Sequence, residues 1–122
     1  MISKKKLFKK LNYLVLLIFI GLAKSSLAEN SLLMVTSEYC LYCQIWEKQI
    51  GKIYPKTDIA KNYPLKKLEL DDFLNNENYN VVKTKITPTF IFFEDKNEIG
   101  RITGYSNPEM FWWQVDEILQ RE

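Results

Sequence analysis

The chain has 122 residues with 17 basic against 15 acidic side chains, enough for one domain, and its 47% hydrophobic content is that of a folding chain. It has no His, which excludes Ser-His-Asp and Cys-His hydrolases, most catalytic zinc sites and His-ligated haem. Its 2 Cys cannot complete a tetrahedral zinc site without other good ligands.

The first element in chain order is a targeting segment. Residues 1–28 carry six Lys and no acid, and the remainder holds 11 basic against 15 acidic residues, a net charge of −4. The basic balance therefore belongs to the leader, and nucleic-acid binding loses its electrostatic motive. Met1–Lys10 is basic, Leu11–Ala23 is almost entirely apolar, and Ser26-Leu27-Ala28 offers small residues for cleavage. This is the pattern of a secretory signal peptide. Its apolar run of 13 residues is short of the roughly 20 that cross a bilayer as a helix. The expected organisation is a signal peptide over 1–28 and one domain over 29–122; an uncleaved N-terminal anchor is the alternative. Either way the domain is exported, in a bacterium to the periplasm, where disulfides persist.

Ser31–Thr36 (SLLMVT) reads as a buried strand. Cys40–Tyr54 has helical apolar spacing through Leu41, Ile45, Ile50 and Ile53, with Trp46 beside them, and ends before Pro55. Leu65–Leu70 suits a strand loosely, and Asp71–Val82 holds a short helix at most. Thr89–Phe93 (TFIFF) is a strong buried-strand pattern; with a turn at Asp95–Asn97 and a return strand over Glu98–Thr103 it forms a hairpin. Asn107 caps a last helix over Pro108–Gln120, whose face carries Phe111, Trp112, Val115, Ile118 and Leu119. The order β-α-β-α-β-β-α predicts an α/β fold, a mixed sheet with helices on both faces. Phe90, Phe92, Phe93, Trp112 and Trp46 read as core; Trp113 falls off the helix's apolar face and reads as partly buried beside Trp112, contact with a partner being the alternative.

One constellation carries chemistry. Cys40 and Cys43 form a C-x-x-C where the first strand meets the first helix, the setting of a redox motif. A Cys at a helix N-terminus faces unpaired amides and the positive end of the macrodipole, which favour a thiolate. Cys43, one turn later, faces the same side and is placed to attack a mixed disulfide at Cys40. Two other readings stand beside this one. A disulfide closing so short a loop restrains the unfolded chain little, so a structural staple is a weak reason for it. Two soft thiolates also suit Cu(I), as in a non-enzymatic copper chaperone. The second signal is Ile86-Thr87-Pro88-Thr89 before a strand. On residues alone, this is a trans proline at a strand's first position.

Taken together, the C-x-x-C after the first strand, the later Thr-Pro before a hairpin, and the closing Gly and helix resemble the thioredoxin fold over essentially the whole of 29–122. More narrowly, several stretches are similar to the SoxS-like branch of small periplasmic thioredoxins. They are Cys40-Leu41-Tyr42-Cys43, Ile53-Tyr54-Pro55-Lys56-Thr57, Pro64-Leu65, Thr87-Pro88-Thr89-Phe90 and Gly100-Arg101-Ile102-Thr103-Gly104-Tyr105 through Phe111-Trp112. The resemblance implies a cis Pro88 facing the dithiol, Thr87 offering backbone groups to a bound peptide, and Gly104 as a third wall of the groove. Tyr39, Leu41, Tyr42 and Tyr105 are the further residues expected to contact substrate. The chain departs from thioredoxin proper at Tyr39, where a Trp is usual, and at Leu41-Tyr42, where Gly-Pro is usual. Met34 falls where thioredoxin carries a buried acid that helps deprotonate the second Cys, and Glu38 is a weak substitute.

The implied function is thiol-disulfide exchange without a bound cofactor or metal, since the two sulfurs carry the electrons. Resemblance favours a reductase acting on a protein or small thiol/disulfide substrate and kept reduced by a membrane electron-transfer protein. A disulfide-forming oxidase is the alternative direction.

Overall fold

The computed structural model describes residues 4–21 and 29–120. The basic and apolar N-terminal segment forms helix α1 (Lys4–Gly21), while the expected cleavage site at Ser26–Ala28 lies outside the described residues. Among the described residues, no helix is long and apolar enough to cross a membrane.

From Ser31 the chain alternates strand and helix. Strand β1 (Ser31–Thr36) leads to α2 (Leu41–Trp46), which continues as a π turn over Glu47–Gly51. A 3₁₀ turn (Tyr54–Lys56) and a short helix α3 (Asp58–Asn62) follow, then β2 (Leu65–Glu69) and α4 (Leu70–Asn75). The chain closes with the hairpin β3 (Thr89–Glu94) and β4 (Asn97–Thr103) and the helix α5 (Pro108–Leu119). The sheet order is β2-β1-β3-β4, with β1 and β2 parallel and the other two pairs antiparallel.

The register explains why β1 and β3 are continuous apolar runs rather than alternating ones. Both are central strands, buried on both faces. Leu32 and Met34 of β1 lie level with Phe92 and Phe90 of β3 and belong to the larger core with Trp46, Tyr54, Phe111 and Val115. Leu33 and Val35 lie level with Ile91 and Thr89; with Ile91 and Phe93 they form the second core, against Phe73 of α4. Helices thus cover both faces. The edge strand β2, with only Leu65 and Leu68 apolar, shows a weak sequence signal because it is half-exposed.

Two local devices fix the segment that leads from α4 to β3. Lys83 Nζ donates to the carbonyls of Phe73 (2.8 Å) and Asn76 (2.9 Å), near the open end of α4, and lies 4.5 Å from the Phe73 ring centroid. Thr89 Oγ1 donates to the Ile86 carbonyl at 2.6 Å. At the core's far corner the Tyr54 hydroxyl donates to the Tyr63 carbonyl at 2.7 Å, and burial holds the Tyr54 phenol well above its ordinary pKa.

Helix α5 lies close on β4. A Cβ added at Gly100 would sit 2.8 Å from Ile118 Cγ2 and 2.9 Å from Cγ1. Gly100→Ala is therefore expected to destabilise: overpacking costs about 1–3 kcal/mol, more than the roughly 0.4–1 kcal/mol gained by stiffening the unfolded chain. The check is a urea unfolding midpoint lowered at unchanged slope. A midpoint at or above wild type would show that α5 shifts to make room without cost.

Candidate active site

Strand β1 ends at Thr36, and the short loop Ser37–Tyr39 delivers the chain to Cys40. Cys40 has extended backbone angles (φ −87°, ψ 106°) and caps the N-terminus of α2, its Sγ accepting from the Cys43 N–H at 3.1 Å. The backbone amide that meets the sulfur is thus one of those a helix start leaves unpaired, and it favours negative charge there. The two cysteines are joined as a disulfide with Cα atoms 5.2 Å apart. They differ in access: Cys40 is half-buried, whereas Cys43 is 3% exposed and belongs to the larger core. Met34 is fully buried in that same core, so the strand presents no ionisable group at that position.

The other parts of the site arrive at the same end of the sheet. β3 runs antiparallel to β1 with Val35 level with Thr89, so the residues just before β3 lie beside the end of β1. There the Thr87–Pro88 peptide bond is cis and Pro88 is buried. β4 ends level with Thr89, and the Gly104 N–H donates to the Pro88 carbonyl at 2.8 Å. Gly104 holds φ 81°, a left-handed conformation that suits a residue without Cβ. Cys40, Pro88 and Gly104 therefore come from three separate segments, each at one end of its strand.

Around them the surface is apolar and exposed: Tyr39 is 89% exposed, Leu41 63%, Tyr42 56% and Ile86 53%. Ile86 belongs to the Ile86-Thr87-Pro88-Thr89 signal, but it is not among the residues that the sequence assigns to substrate contact. Of the three tyrosines expected to reach a substrate, Tyr39 and Tyr42 are at the surface and Tyr105 is buried. Tyr105 packs on Phe111 and its hydroxyl donates to Gln49 Oε1 at 2.6 Å. It supports the Gly104 turn from behind and ties it to the helix of the dithiol. Gln49 could not be found from the sequence, because the π turn changes which residues of this helix face the β4 end. Trp113, expected to be partly buried, is 58% exposed, since Tyr54 and Phe111 enclose its neighbour Trp112 instead. The chain also pairs Glu47 of the π turn with Lys67 of β2.

A dithiol/disulfide pair at a strand-to-helix junction, on a mixed sheet packed on both faces, defines a thiol-disulfide oxidoreductase of the thioredoxin fold. The Thioredoxin-like domain family matches residues 23–119, and the chain belongs to that family. It is similar to the periplasmic thioredoxin SoxS of Paracoccus pantotrophus, with 31% identity and a TM-score of 0.69 over 75% of this chain and 97% of that one. Mitochondrial thioredoxin 3 of Saccharomyces cerevisiae shares the fold at 19% identity and a TM-score of 0.56, over 84% of this chain and 89% of that one. The thioredoxin of Malassezia sympodialis does so at 16% identity and a TM-score of 0.58, over 72% of this chain and 75% of that one. No curated protein sequence matches the chain significantly.

Proposed function

We propose that this protein is exported, cleaved after Ala28, and works in the periplasm as a reductase of protein or small-molecule disulfides. Cys40 is the attacking thiolate and Cys43 resolves. In the reduced protein the Cys40 thiolate attacks a substrate disulfide; a mixed disulfide forms and one substrate thiolate leaves. The Cys43 thiolate then attacks Cys40 Sγ, closing the Cys40–Cys43 bond and releasing the second substrate thiolate. Two electrons pass to the substrate, and a membrane electron-transfer protein restores the dithiol. Thr87 and Pro88 with Gly104 line the groove, and Tyr39, Leu41 and Tyr42 contact the substrate from the helix side.

The observation that carries this reading is the asymmetry of the pair: the accessible sulfur receives a backbone N–H at the helix start, and the other is 3% exposed. The direction of electron flow is tested by equilibrating the protein with glutathione redox buffers and measuring the oxidised fraction. A reductase is expected to poise below about −220 mV, toward the thioredoxin range. A value near −120 mV, the range of strong disulfide donors, would assign the protein to disulfide formation.

A further inference from the structure

At the end of the sheet opposite the dithiol, the chain enters the domain at Glu29. The Glu29 N–H donates to Asp95 Oδ1 at 3.1 Å, tying the domain's first residue to the turn between β3 and β4. The Asp95 N–H reaches back to Asn30 Oδ1 at 3.4 Å, and the Glu29 carboxylate pairs with Lys66 of β2. Asp95 holds φ 56°, a left-handed conformation that Asn tolerates as well as Asp. The turn therefore asks for a short polar residue and not for a negative charge. The charge has another user.

The geometry points to Asp95 as a binding site for a protonated α-amine, the one created at Glu29 when the leader is removed. A peptidase of the export machinery adds one water across the Ala28–Glu29 bond. The hydroxyl goes to the Ala28 carbonyl carbon and the hydrogen to the Glu29 nitrogen, which takes a further proton from solvent at neutral pH. An amide N–H on a carboxylate becomes an ammonium on a carboxylate, a charge-assisted bond on both sides. Removal of the leader thus strengthens a contact that already closes the start of the domain onto its hairpin. The inference rests on the export reading above and is independent of the redox reading.

The sign with pH follows. A free α-amine titrates near 7.7–8.0, and a neighbouring carboxylate raises that value in the folded chain. The contribution is complete below the unfolded value and is lost as pH rises through the folded one. The charged groups around the site are the Glu29 and Asp95 carboxylates and the Lys66 and Lys96 ammoniums, with Tyr79 beside them. Lys66 holds the Glu29 carboxyl below its ordinary value, and the α-amine is the group whose ordinary value falls inside the window from pH 6 to 9.5.

The test uses the full chain, expressed and exported, with the processed product isolated and its intact mass measured. Thermal unfolding of wild type and Asp95→Asn is then followed from pH 6 to 9.5. Wild type is expected to exceed the variant by about 2–5 °C at pH 6, and the gap to shrink below half by pH 9.5. The wild-type α-amine, carbon-13 methylated and titrated by NMR, is expected to have a pKa above 8.0. A gap constant across the range, no gap, or an amine at the ordinary value overturns the site. A mature chain that starts elsewhere, or an uncut leader, overturns cleavage after Ala28, though not export, and the proposal with it.

Discussion

Cys43→Ser is expected to accumulate covalent mixed disulfides through Cys40, and Cys40→Ser to lose exchange altogether. With Cys43 changed, the first attack still occurs but nothing inside the protein can release the substrate. The adduct then persists until an external thiol attacks it. With Cys40 changed, the remaining thiol is 3% exposed in the core and cannot meet a bulky disulfide. Turnover in either variant should fall by on the order of a thousandfold or more, because the two sulfurs act as one unit. The check is twofold: insulin reduction for turnover, and non-reducing gels with mass mapping for the adduct. Trapping through Cys43 rather than Cys40, or equal trapping by both variants, would reverse the assigned roles. Alkylation of the reduced wild type across pH should likewise modify Cys40 first.

Trp46→Ala is expected to cost about 3–5 kcal/mol. Trp46 is fully buried, 5.0 Å from Phe90 and 5.8 Å from Phe111 between ring centroids, and so joins α2 to β3 and α5 at one point. Such a loss is a large part of the whole stability of a domain this size. The melting temperature should fall by roughly 15–30 °C. Trp46→Phe is the informative companion. The indole Nε1 has no hydrogen-bond partner among the described residues, so Phe forfeits part of the packing and no hydrogen bond. Its cost should be nearer 1 kcal/mol. If Phe costs as much as Ala in urea unfolding, ring packing is not what Trp46 supplies.

The parts of the fold that could be read from the sequence were those where one physical cause acts alone. β1 and β3 are apolar throughout because they are buried on both faces. The start of α5 is written in Asn107 and Pro108, and Asn107 Oδ1 does accept the Met110 N–H at 2.9 Å. The dithiol was legible because its spacing and its place at a strand-to-helix junction are a local matter. What could not be read depends on contacts distant in sequence. The apolar spacing over Cys40–Tyr54 predicts one helix, yet the chain passes from α to π geometry at Glu47. This change brings Gln49 to Tyr105, 56 residues away. Helix α3 is too short to carry an apolar period, although its cap is a local signal, Thr57 Oγ1 accepting from the Ala60 N–H at 3.2 Å. The burial of Tyr105 is not local either, because only the fold brings Phe111 beneath its ring. Trp113 is exposed because the ring packing at this turn of α5 goes to its neighbour Trp112.

The convergence of Cys40, Pro88 and Gly104 at one end of the sheet has a consequence for the nascent chain. The loop before β3 and the turn after β4 reach Cys40 only once the hairpin has docked on β1, a pairing between segments about 55 residues apart. Such non-local pairing forms late relative to local helices. Until then the two thiols are ordinary groups on a flexible chain, with no groove to hold a substrate and no stable helix start to charge the first sulfur. Reactivity therefore reports completion: a misassembled copy exchanges disulfides poorly, and its surroundings are spared indiscriminate scrambling by half-made molecules.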